Sequence, residues 1–105
     1  LNSRFSLDAA RRLAGTLLQE RSQIDAACYQ ALFRRLYSRA ATPAEITILD
    51  TFHRRQTTLL ESADRAPSQL ALPIPLPAQL APAAAAAFTD ICLAAFNANE
   101  FLYLD

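Results

Sequence analysis

The chain has 105 residues, enough for one domain with one core, and 52% of them are hydrophobic. Ten basic and ten acidic residues cancel, so no global charge directs the chain to nucleic acid or to an anionic membrane surface. No stretch approaches the roughly 20 apolar residues of a membrane-spanning helix, so membrane insertion is not expected.

All ten basic residues are arginine, and valine, methionine and tryptophan are absent. The single glycine, Gly15, and the abundance of Ala and Leu argue for helices and against strands. The expectation is an all-α, four-helix bundle-like domain covering 1–105, with helices at about 6–21, 23–39, 43–63 and 82–97. A proline-rich apolar crossover at 64–81 precedes the last helix.

Helix one is expected to start at Ser6 as N-cap, with Asp8 in its first turn. Leu7, Ala10, Leu13, Ala14, Leu17 and Leu18 form its apolar face. Ser22 can cap helix two, with Asp25 three residues on. Ile24, Cys28, Ala31 and Leu32 make one stripe, and Tyr29, Phe33 and Leu36 make an adjacent one. An arc this wide predicts a central helix that touches two neighbours.

Thr42-Pro43-Ala44-Glu45 is the clearest local signal. Thr42 is placed as N-cap, Pro43 at the first helical position, where its missing N–H costs nothing, and Glu45 at N3. Ile46, Leu49, Phe52, Gln56, Leu59 and Leu60 are expected to face inward from helix three. After it, Pro67, Pro73, Pro75 and Pro77 forbid a helix. Leu70, Leu72, Ile74, Leu76 and Leu80 make the segment too apolar for a free linker, so it should lie on the bundle. Pro82 opens helix four, and the run Ala83–Ala87 gives it a thin face. The helix is expected to end near Asn97, with the aromatic tail Phe101-Leu102-Tyr103-Leu104 packing back on the domain.

Chemistry-bearing residues are sparse. Cys28 and Cys92 lie far apart without CxxC spacing, which gives no zinc, iron–sulfur or haem-attachment signal. They read as buried thiols, with a disulfide open in an oxidising compartment. His53 stands alone, without further ligands at metal-binding spacing. Asp90, Asn97, Asn99 and Glu100 cluster towards the C-terminus and could hold a hard cation, with His53 as a further member of a polar site. The simpler reading is that they cap helix four and fix the turn that follows. Arg34, Arg35 and Arg39 could form an anion patch; the simpler reading is a solvated edge beside an apolar stripe. No catalytic, cofactor-binding or metal residue is assigned.

Three landmarks in order carry a family resemblance: Leu1-Asn2-Ser3 followed by a Phe and a helix, Arg39-Ala40-Ala41-Thr42-Pro43-Ala44-Glu45, and Asp90 to Asp105, DICLAAFNANEFLYLD. They resemble the "LNSPF", "GRxPTxxE" and "DLCxxLxNxNEFxYxD" patterns at the C-terminal end of a planctomycete domain of unknown function. That domain occurs in large proteins with a planctomycete cytochrome-c-like domain (the PSD-one family). Arg4 replaces the family's Pro, Ser38 stands where Gly is frequent, and Ala41 where Pro is frequent; these departures touch turn stiffness. The resemblance implies a C-terminal module of a larger bacterial protein, exported to the periplasm or cell envelope. It also implies that haem sits elsewhere in the parent, since no CxxCH occurs here. It carries no catalytic residue over.

Two functions compete at this stage. The leading one is non-enzymatic: a structural or protein-interaction module that contacts other domains of its parent or a copy of itself. The alternative is a ligand- or ion-binding or enzymatic accessory domain, docking the cytochrome-c-like domain of the same parent.

Overall fold

The computed structural model describes residues 3–63 and 65–103, with side chains for 4–63 and 65–98. Among the described residues the fold is all-α. Four helices follow one another: α1 (Ser3–Glu20), α2 (Ala26–Tyr37), α3 (Pro43–Ser62) and α4 (Pro82–Tyr103), with one 3₁₀ turn at Pro67–Gln69. The class follows from the composition: a chain rich in Ala, Leu and Arg with one glycine has high helix propensity throughout.

The ends of the helices correct the sequence reading in three places. Ser6 is not the N-cap of α1; it lies buried inside the helix, which begins at Ser3. Ser22 does not cap α2. Asp25 does, with its carboxylate accepting from the N–H of Cys28 at 3.2 Å. Asp and Ser are comparable caps, so the choice falls on whichever starts the apolar stripe in the right phase. Cys28, Tyr29 and Leu32 then all point into the core. Nor does α4 stop near Asn97. It runs unbroken to Tyr103, with Asn97 exposed on its surface. Asn tolerates a helix end but does not impose one, and no glycine or proline follows it. The expected packing of the FLYL tail falls outside the described side chains.

The capping box at α3 forms as read. Thr42 Oγ1 accepts from Glu45 N at 3.2 Å, and Glu45 Oε1 accepts from Thr42 N at 2.8 Å. The turn before it is held from α2, where Gln30 clamps both backbone groups of Ala41 at 3.0 and 2.8 Å. Ser38 closes α2 in the left-handed region, at φ 56° and ψ 31°.

The central helix is α4, not α2. It packs most extensively on α1 and on α3, and it also meets α2. Its alanine run explains this. Ala85, Ala86 and Ala87 are all buried, and side chains this small let two neighbours close in. The core gathers Ala10, Ala14, Leu17 and Leu18 of α1, Cys28, Tyr29 and Leu32 of α2, and Phe88, Ile91 and Cys92 of α4.

The proline-rich crossover lies on α1, as its apolar content requires. Arg11 Nε donates to Leu72 O at 2.8 Å, and Ile74 N donates to Arg11 O at 2.9 Å. One turn further along α1 the crossover passes directly over Gly15. A Cβ there would sit 2.0 Å from Ile74 O and 2.6 Å from Pro75 N. Only glycine lets the two backbones meet this closely. The Ile74–Pro75 peptide bond is cis.

Candidate functional site

The helix that contributes least to the core is α3. None of its residues is fully buried. Ile46, Leu49, Gln56 and Leu60 are half-buried as expected, but Phe52 and Leu59, expected to face inward, do not. Ile48, Phe52 and Leu59 are 65%, 41% and 61% exposed. The sequence stripe on α3 is wide, and the inner half of it is covered by α4 and, to a lesser extent, by α2. The outer half is left in solvent.

Beside this face lies a groove of about 270 Å³. Phe33 and Tyr37 of α2 form one wall, Ile48, Leu49 and Phe52 of α3 another, and Ile91, Ala94 and Ala95 of α4 the floor. Its only polar lining group is the Tyr37 hydroxyl, and that group donates to Ala95 O at 2.7 Å. With its proton engaged, that hydroxyl offers a ligand at most an acceptor. The groove is also smaller than the ~300–1,000 Å³ of small-molecule sites. Its size and lining suit an apolar side chain presented by another protein.

The rim is rigid. Arg39 reaches back to Glu45 in a forked pair, Nη1–Oε1 2.8 Å and Nη2–Oε2 2.9 Å. Its guanidinium carbon sits 5.2 Å from the Phe33 ring centre and 5.8 Å from that of Tyr37. Those two rings meet edge to face at 5.0 Å. The Arg39 pair and the bond from Thr42 N hold the Glu45 carboxyl down to about 2. The candidate anion patch is thus not brought together around a free Arg39. Arg34 and Arg35 are exposed in the last turn of α2, while Arg39 is spent on Glu45.

The candidate polar site is likewise spread out. His53 uses Nε2 on Ala84 O at 2.9 Å. The carbonyl can only accept, so that nitrogen carries the proton. Asp90 accepts from Gln56 Nε2 at 3.0 Å, and its half-burial pushes its carboxyl above the usual range. Asn97 lies two turns beyond Asp90 on α4 and is exposed. The side chains of Asn99 and Glu100 fall outside the described set. Among the described residues, no three His, Cys, Asp or Glu side chains converge as a metal site. His53 and Gln56 instead fasten α3 to α4, and Tyr37 fastens α2 to α4.

Cys28 and Cys92 are buried free thiols. Burial pushes Cys28 up to about 12, with Asp25 adding to the shift and Arg21 opposing it, and burial also pushes Cys92 well up. Neither is a thiolate at neutral pH, so neither is a nucleophile. Tyr29, tilted against Phe88 at 6.4 Å between ring centres, keeps a buried hydroxyl without a partner among the described residues, and burial raises it as well.

The outer face of α3 was missed because periodicity counts apolar residues, not the neighbours available to cover them. A usable signal was present: Thr47, Thr51 and Thr58 interleave with the apolar residues of α3, so the helix has no cleanly polar side. Among the described residues no helix is long and apolar enough to cross a membrane. Comparison of the chain with protein-family models, curated proteins and solved structures finds no match.

Proposed function

We propose that this chain is a non-catalytic helical module that docks protein partners through the outer face of α3 and the groove beside it. The observation that carries the reading is the exposure of Ile48, Phe52 and Leu59 on one helix, next to a groove lined almost wholly by apolar side chains. Apolar residues exposed side by side mark interaction surfaces more often than singly scattered ones do. The polar residues that a ligand site would need are engaged in holding helices together. That favours docking over the ion- or ligand-binding alternative.

The resemblance to the planctomycete family supplies a setting for this reading. The module would be the C-terminal part of a larger exported protein, and its partners would be the other domains of that parent or a further copy. The cytochrome-c-like domain is the first of these to try. The mass of the native protein containing this sequence tests the setting: a chain of only about this length removes it.

The surface itself is tested with the apolar dye 1-anilinonaphthalene-8-sulfonate. Fluorescence enhancement by the folded chain, lost on Ile48→Glu with helicity unchanged, is the expected result. A chain that leaves the dye dark removes the docking reading.

A further inference from the structure

Four of the exposed residues of α3 have a spacing with a symmetry of its own. Ile48, Phe52, Arg55 and Leu59 are all exposed. They are separated by four, three and four residues. At 3.6 residues per turn they fall within an arc of about 60°, and the alternation of four and three is that of a coiled-coil seam. The order 4-3-4 reads the same in both directions. A two-fold axis across the helix between His53 and Arg54 therefore lays the seam on itself.

We infer that α3 pairs antiparallel with α3 of a second copy of this chain. The inference rests on the docking reading and names its occupant. In this arrangement Ile48 meets Leu59 of the copy at each end, aliphatic on aliphatic. Phe52 meets Arg55 of the copy, twice, at the centre. Among the described residues no carboxylate pairs with Arg55, so its cation is free to lie over an aromatic face. The complementarity is mutual, as a two-fold interface requires.

Arg54 shares the level of the axis but points about 130° round the helix from the centre of the seam, so its two copies stay apart. Its guanidinium is held by Asp50 one turn earlier, within the same copy. Antiparallel pairing further sets the positive N-terminal end of each helix beside the negative C-terminal end of the other. The seam is four residues long, so the dimer is weak, in the class of small transient interfaces.

Sedimentation equilibrium of the wild-type chain from about 10 μM to about 1 mM covers that class. The expected result is a monomer at the low end and growing dimer at the high end. Phe52→Arg, which sets two cations against each other at the axis, weakens dimerisation by about tenfold or more. Geometry is read by single-cysteine oxidation, since Cys28 and Cys92 are buried. Phe52→Cys and Arg55→Cys lie near the axis, displaced from their own copies by about 4.5 Å along the helix, and cross-link. Ile48→Cys and Leu59→Cys are displaced by about 16 Å and do not. An equal mixture of those two variants forms the mixed dimer.

A strict monomer at the highest concentration overturns the inference, as does equal cross-linking at all four positions. The dye result separates this failure from failure of the docking reading. A monomer that still lights the dye through Ile48 excludes the copy and keeps the surface; a monomer with a dark dye excludes both.

Discussion

The two long sides of this bundle treat similar side chains differently. On the α1 side, α4 and the proline-rich crossover both close onto the helix, down to backbone contact at Gly15. On the α3 side, α4 and α2 cover only the inner half, and Ile48, Phe52 and Leu59 stay in solvent. The residues themselves do not explain the difference: leucines occur on both, and α1 also leaves one ring, Phe5, 58% exposed. What differs is the number of neighbours. One side has a strap and the other does not, so equal hydrophobicity becomes core in one place and surface in the other.

The largest effect expected from this contrast comes from truncating one phenylalanine of the shared core and one of the α3 face. Phe88→Ala empties a fully buried ring position and is expected to cost about 3–5 kcal/mol in urea unfolding. Phe52→Ala removes a ring that is 41% exposed and should cost less, about 1–2 kcal/mol. Comparable losses would mean that the α3 face is covered in solution. Gly15→Ala comes next. The added methyl would meet main-chain atoms, not a movable side chain, so the crossover must lift, at about 3 kcal/mol by the upper range for overpacking. A loss below about 1 kcal/mol would show that the strap is loose.

A smaller, opposite change is expected where α2 turns into α3. Ser38 holds a left-handed conformation at the end of α2 that glycine adopts without penalty. Ser38→Gly should therefore stabilise the chain by about 0.5–1 kcal/mol, read as a rise in melting temperature.

The smallest effects concern pH and carry opposite signs. Glu45 is lowered from 4.5 to about 2 by Arg39 and Thr42. Its contribution is present above the ordinary glutamate range and is lost as pH falls towards 2. The Glu45→Gln variant should lose less stability than wild type over that window. Asp90 is raised by burial, so its ionised form opposes folding and the chain gains from its protonation as pH falls. Asp90→Asn keeps an acceptor for Gln56 and should be more stable than wild type at neutral pH, with the difference shrinking on acidification. A variant less stable at neutral pH would mean that the charge itself holds α3 to α4.

Part of this architecture is local and part is not. The all-α class and the start of α3 needed nothing beyond neighbouring residues. Thr42, Pro43 and Glu45 satisfy one another within a single turn, so the capping box could be read directly. The start of α2 needed more. Ser22 and Asp25 are comparable caps, and the phase of Cys28, Tyr29 and Leu32 towards a shared core decided between them. The end of α4 was misplaced for a related reason: Asn97 permits a stop, and nothing nearby enforces one.

The candidate site was the least legible element. His53, Asp90 and Arg39 were chosen for their chemistry, yet each is used to fasten one part of the fold to another. Their partners, Ala84, Gln56 and Glu45, lie from six to 34 residues away, and no local pattern announces them. Gly15 carried a signal of a kind, since a lone glycine inside a helical stretch usually has a packing reason.

By itself, then, the sequence determined the helical class, the capped start of α3, and a crossover too apolar to leave the surface. Each follows from propensity, capping and burial, which act over a few residues. Tertiary structure alone decided that α4 is central, that Gly15 is where the crossover touches α1, and that the outer face of α3 is bare. Whether an apolar side chain is buried depends on which distant segments reach it. That is set by how four helices and one strap share a limited amount of covering surface.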